Sequence, residues 1–113
     1  MQLTGKQRRF LRAQGHGLKP LVWIGKNGIA GNVIKQLDEV LTAHELVKVK
    51  LLEACPLTVG ECAQELSGAS HSAVAQTLGR TILLYRSHPD QPVLVLPAGS
   101  VSQEEPEPAD ASE

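Results

Sequence analysis

Apolar residues change their period several times along this chain, and each change marks an element. Phe10 and Leu11 are the apolar positions of an otherwise polar segment, residues 5 to 14, that opens at Thr4-Gly5-Lys6-Gln7. That tetrapeptide has the capping-box form, in which a Thr hydroxyl and the side chain three residues on satisfy each other's backbone amides. A helix is predicted, with Phe10 and Leu11 inward and Lys6, Arg8, Arg9 and Arg12 largely outward, ending at Gly15 and Gly17. Leu21-Val22-Trp23-Ile24 is a short continuous apolar run of the kind a buried strand shows, which places Trp23 in the core. Ala30, Val33, Ile34, Leu37, Val40 and Leu41 then recur with helical spacing and predict a helix over 29–43. Over Glu45-Leu46-Val47-Lys48-Val49-Lys50-Leu51 the period drops to two, so Val47, Val49 and Leu51 share one strand face and Lys48 and Lys50 the other.

A third helix opens near Pro56 and Thr58. Thr58-Val59-Gly60-Glu61 repeats the capping box, Val59, Cys62, Ala63 and Leu66 form the buried stripe, and Gly68 is expected to stop it. Two strand-like runs follow, Ala73–Leu78 and Thr81–Arg86, joined by Gly79-Arg80, which suits a type II′ hairpin. Tyr85 reads as a half-buried strand tyrosine. Pro92–Pro97 is expected to add a short edge strand. The order αβαβαββ predicts an α/β chain of the α+β type, with a mixed four-stranded sheet packed with helices. Its strand–helix–strand units predict adjacent parallel strands, and the closing hairpin adds antiparallel pairing. Residues 1–97 form the expected domain. Residues 98–113, rich in Pro, Glu and Ser, form an acidic tail expected to be disordered.

Charge changes the picture more than composition does. The net charge of −1 conceals nine Lys/Arg against three Asp/Glu in residues 1–50, and two against nine in residues 51–113. Without the tail, the body 1–97 carries eleven basic and seven acidic side chains, a balance that suits a polyanionic partner. No apolar run approaches the roughly 20 residues of a membrane helix, and Met1 to Arg9 contain no signal-peptide core, so a cytoplasmic protein without a membrane partner is expected. Cys55 and Cys62 lack metal-knuckle spacing and read as buried free thiols. The histidines at 16, 44, 71 and 88 show no ligand spacing, so neither metal nor cofactor is expected.

Gly25-Lys26-Asn27-Gly28 lies between the first strand and the second helix. Glycines at both ends let backbone amides approach a phosphate, the following helix aims its positive end nearby, and Lys26 adds charge. Asn27 is also a residue that tolerates the left-handed conformation. The loop lacks the length and the hydroxyl of a nucleotide-binding P-loop. Asp38 and Glu39 fall on the polar side of their helix, His44 at its end, and Ser67, Ser70, Ser72 and Ser87 in loops or element ends without a nucleophile elbow. Catalysis is not expected. Binding of a phosphodiester backbone is, with Gly25, Lys26, Asn27 and Gly28 as the clamp, Lys6, Arg8, Arg9, Arg12 and Lys19 extending the footprint, and Lys48 and Lys50 joining if their face is open. The alternative is a basic protein-interaction module for an acidic protein partner.

The order of motifs resembles the YhbY-like bacterial members of the CRM (chloroplast RNA splicing and ribosome maturation) RNA-binding family. Lys6-Gln7 with Arg8 and Leu11, Leu18-Lys19-Pro20, Gly25-Lys26-Asn27-Gly28, His44 through Lys50, Gly79-Arg80-Thr81 and Leu84-Tyr85-Arg86 carry the resemblance, over roughly residues 2–97. It implies a fold like the C-terminal domain of bacterial translation initiation factor three. It also implies a role in ribosome assembly through association with rRNA in precursors of the large ribosomal subunit. The G-x-x-G loop is the RNA contact the resemblance implies, and a monomer is expected.

Overall fold

Local signals set most element ends in the computed structural model of the protein, which describes residues 3–88, 90 and 96. Thr4 caps α1 (Gly5–Gly15): its hydroxyl accepts from the Gln7 amide at 3.1 Å, and Gln7 Oε1 accepts from the Thr4 amide at 3.1 Å. Thr58 and Glu61 repeat the arrangement at α3 (Val59–Ser70), at 3.1 and 2.9 Å. Contrary to expectation, α3 runs through Gly68. Its stop is His71, left-handed at φ 56°, with the Ser72 amide donating to the Ser67 carbonyl at 3.1 Å. α2 (Gly31–His44) begins two residues later than its apolar period suggests, behind an Ala30 cap that offers no side-chain acceptor. Glu45, read as the first strand residue, instead closes α2 at φ 64°, so β2 (Leu46–Leu51) opens one residue on. The remaining strands are β1 (Val22–Ile24), β3 (Ala73–Leu78) and β4 (Thr81–Tyr85). The edge strand expected over Pro92–Pro97 and the disorder expected over 98–113 lie outside the described residues, apart from Leu96, which has no regular structure.

The sheet is mixed, in the order β1-β2-β4-β3. β1 and β2 pair in parallel, as their intervening helix predicts. The second strand–helix–strand unit departs from the expected adjacency, because β4 lies between β2 and β3 and runs antiparallel to both. The two-residue turn, with φ +61° at Gly79, folds β4 back along β3. Ile82 to Tyr85 are all buried, which suits an interior slot, whereas β3 ends in exposed Thr77 and Leu78, which suits an edge.

The two faces of the sheet are covered unequally. On one, Val22, Ile24, Val47, Val49, Leu51, Ile82 and Leu84 pack against Leu37 and Leu41 of α2 and Cys62 and Leu66 of α3. On the other, α1 sets Leu11 against Leu46, Ala73, Ala75, Leu83 and Tyr85, with Phe10 and Leu96 at the margin. Tyr85 is therefore fully enclosed, at 2% exposure, and not half-buried. Gly15 permits the close seat of α1, since a Cβ there would fall 2.8 Å from Leu83 Cδ2. Beyond this contact no described helix covers the face. Trp23, Lys50, Thr81 and Leu78 form one row across the four strands, and Trp23 is 49% exposed. The expectation of a core Trp23 fails because Val22 and Ile24 turn to the α2/α3 side, and the pleat then directs Trp23 to the uncovered end.

Cys55 and Cys62 are free thiols, with Cys62 inside the larger core and Cys55 half-buried. Burial, reinforced by the adjacent Cys55, pushes the Cys62 thiol up to about 12, so it stays protonated at neutral pH.

Candidate nucleic-acid interface

Strand β1 delivers the chain directly into the glycine-bounded turn. The Gly28 amide donates to the Gly25 carbonyl at 3.0 Å, so that donor is engaged within the turn. Positive φ falls on Gly28 (+65°) and not on Asn27, as in a type I turn closed by glycine. Asn27 is therefore present without any left-handed requirement. Lys26 and Asn27 are exposed, and among the described residues their amides have no protein acceptor. The two glycines are not equivalent. A Cβ at Gly25 would meet Leu52 Cδ1 at an ordinary 3.8 Å with no positive φ, whereas Gly28 is buried and left-handed. Gly28→Ala is expected to cost about 1–2 kcal/mol of stability, and Gly25→Ala less than about 0.5 kcal/mol, by urea unfolding. Gly25→Ala thus isolates what a methyl group at the turn does to ligand binding.

Next to this turn the bare end of the sheet continues into a cationic groove. Arg9 and Arg12 of α1 and its capping residue His16, with Lys48, Gln76 and Leu78, line an open depression of about 590 Å³. Lys48 is half-buried at the edge of α1 while Lys50, two residues on, is exposed beside Trp23, so one lysine is a rim residue and the other stands in the open. No carboxylate among the described residues pairs with Lys26, Lys48 or Lys50. The sorting is general: α1 and all four strands lack Asp and Glu, and within 3–88 the acids are Asp38, Glu39, Glu45, Glu53, Glu61 and Glu65, on α2, α3 and the segments following α2 and β2.

Not every basic residue joins this surface. Lys6 and Arg8 on α1, and Lys19 in the α1–β1 connection, are exposed but line neither the groove nor the turn. Arg80 holds the hairpin to the end of β2, donating from Nε to the Leu51 carbonyl at 3.2 Å and from Nη2 to the Leu52 carbonyl at 2.6 Å. Arg86 ties α2 to the end of α3. The surface residues that sequence reading omits are His16, Gln76, Leu78 and Trp23. For Trp23 the only available signal is the alternation of its neighbour β2, once the two strands are paired.

Fold and face together define a small α+β domain with one cationic side, to which α1 and the four strands bring no carboxylate. The CRS1 / YhbY (CRM) domain model matches residues 3–86, and the chain belongs to that family. It is similar to Probable RNA-binding protein YqeI of Bacillus subtilis, 43% identical over 95 residues that cover 84% of this chain and 99% of the relative. Probable RNA-binding protein PA4753 of Pseudomonas aeruginosa is 36% identical over 89 residues, 79% of this chain and 86% of that protein. The solution structure of the hypothetical protein SAV1595 from Staphylococcus aureus matches with a TM-score of 0.73 at 41% identity, covering 85% of this chain and 100% of that one.

Proposed function

We propose that this protein is a non-catalytic, cytoplasmic RNA-binding factor that associates as a monomer with rRNA in precursors of the large ribosomal subunit and assists their assembly. The observation that carries the RNA reading is the exposed Lys26-Asn27 turn, whose two amides meet no acceptor among the described residues, beside a cationic side to which α1 and the strands contribute no carboxylate. Relatives named as RNA-binding proteins support it. The ribosomal part of the reading rests on the family resemblance. In this mechanism the Lys26 and Asn27 amides hold a phosphate, Lys26 supplies charge, and the Asn27 side chain supplies a further hydrogen bond. Lys48, Lys50, Arg9 and Arg12 continue the contact along the groove, and Lys6, Arg8 and Lys19 add long-range attraction.

Sedimentation of the tagged protein from a bacterial extract, beside Lys26→Glu, tests this reading. Lys26 is exposed in a surface turn, so its replacement leaves the fold intact. The parent is expected to travel with precursor large subunits and the variant to stay near the top of the gradient. If both stay at the top in low salt, the ribosomal assignment fails.

A further inference from the structure

We propose that Trp23 is a stacking platform for an unpaired RNA base, so that the bare end of the sheet takes a single-stranded segment. This rests on the RNA-binding reading above and deepens it, because a clamp on phosphates alone would accept paired and unpaired RNA alike.

Three observations carry it. Trp23 is the chain's single tryptophan, and it stands 49% exposed on an otherwise apolar strand. Its side chain is in register with Lys50, on the face where α1 leaves the sheet uncovered, and the row continues through Thr81 to Leu78, itself 68% exposed. Finally, Trp23 lies two residues before Gly25, about 7 Å of strand, so a base on the indole and its phosphate on the turn fall within one nucleotide's reach.

The chemistry around the indole selects the occupant. An apolar protein side chain docked there would bury the Lys50 ammonium without an anion to pair with it. A nucleotide brings both components, a flat π-face for the indole and a phosphate for the lysines. Bases within a duplex are already stacked on one another and present no free face, which makes an unpaired nucleotide the matching partner. Exposed Leu21, two residues before Trp23 on the same face, extends the apolar floor.

The sole tryptophan makes the test direct. Intrinsic fluorescence of the full chain is titrated at low salt with a single-stranded RNA and with a blunt duplex of the same length. Affinities come independently from anisotropy of labelled RNA, for the parent, Trp23→Ala, Trp23→Phe and Lys26→Glu. Single-stranded RNA is expected to quench the indole. Trp23→Ala should weaken single-strand binding roughly tenfold to a hundredfold, with Trp23→Phe retaining most of it. Duplex affinity of Trp23→Ala should stay within about twofold of the parent, because its phosphate contacts are untouched. The half-exposed position keeps these substitutions out of the core, and the phenylalanine variant guards against a folding artefact. Unchanged single-strand affinity in Trp23→Ala, with Lys26→Glu still impaired, overturns the platform and leaves the RNA-binding reading standing. Failure of the parent to bind either RNA overturns both. An emission shift that depends on protein concentration without RNA assigns the face to a second copy. A blue-shifted emission indifferent to RNA assigns it to the chain's own residues. Either of these overturns the proposal.

Discussion

RNA affinity is expected to fall by about two to three orders of magnitude as monovalent salt rises from about 50 to about 200 mM, if about four to six phosphates are contacted. The basis is the state of three lysines at the interface. Lys26, Lys48 and Lys50 have no carboxylate partner among the described residues, so each is available to displace a condensed counterion. Each contact contributes about 0.9 to the log–log slope for duplex-like RNA and about 0.7 for a single strand. Lys26→Gln and Lys50→Gln should each lower the slope by about that amount. Lys35→Gln should leave it unchanged, because Lys35 is exposed on α2, across the sheet from the groove. Equilibrium titrations at four or five salt concentrations read the slope. A slope near zero would mean that the cationic side does not meet phosphates.

Arg86→Ala is expected to lower stability by about 2–3 kcal/mol and the melting temperature by roughly 10–20 °C. Nη1 donates to Asp38 Oδ1 at 2.7 Å and to the Ser70 carbonyl at 2.8 Å, while Nη2 donates to the Asp38 carbonyl at 3.0 Å and to Thr42 Oγ1 at 2.9 Å. One guanidinium thereby joins the last residue of α3 to the outer turn of α2, just beyond the end of β4. The ion pair is the smaller part, because the Asp38 side chain is 60% exposed and such pairs contribute less than about 1 kcal/mol. The Ser70 carbonyl matters more: it ends a helix, has no following turn to satisfy it, and is partly buried. Asp38→Asn should therefore cost less than about 1 kcal/mol. Arg86→Lys should recover little, since one compact ammonium cannot reproduce the planar fork whose two nitrogens reach four acceptors. Urea unfolding of the three variants separates these contributions, and equal losses for Asp38→Asn and Arg86→Ala would refute the division.

What the sequence made legible follows the range of the interactions involved. Both capping boxes, the Gly79-Arg80 turn and the amphipathic periods are written within a few residues, and each element they mark is present. Strand order was not legible in the same way. Whether β4 lies outside β3 or between β2 and β3 depends on burying Ile82 to Tyr85 on both faces, a non-local condition. Trp23 was misjudged because a run of three or four apolar residues cannot show its own period. Its neighbour β2, with visible alternation, would have supplied the phase once the two were paired. The left-handed position of the glycine turn fell on Gly28 and not Asn27, since a type I turn places its positive φ after the two central residues. Lys48 and Lys50, one face in the sequence, were separated by how far α1 reaches along the sheet.

Among the described residues, α2, α3 and the segments after α2 and β2 carry the acids of 3–88 while α1 and the sheet carry none, which has a consequence for how the molecule meets a polyanion. With a net charge of −1, the chain as a whole is drawn to nucleic acid hardly at all. Its dipole is another matter. Beyond a Debye length of roughly 8 Å the field is screened, and approach is random in orientation. Inside that distance the field acts as a torque, turning the α1 side inward and the α2/α3 side outward before any atom touches. Electrostatics here selects the pose of arrival more than the frequency of it.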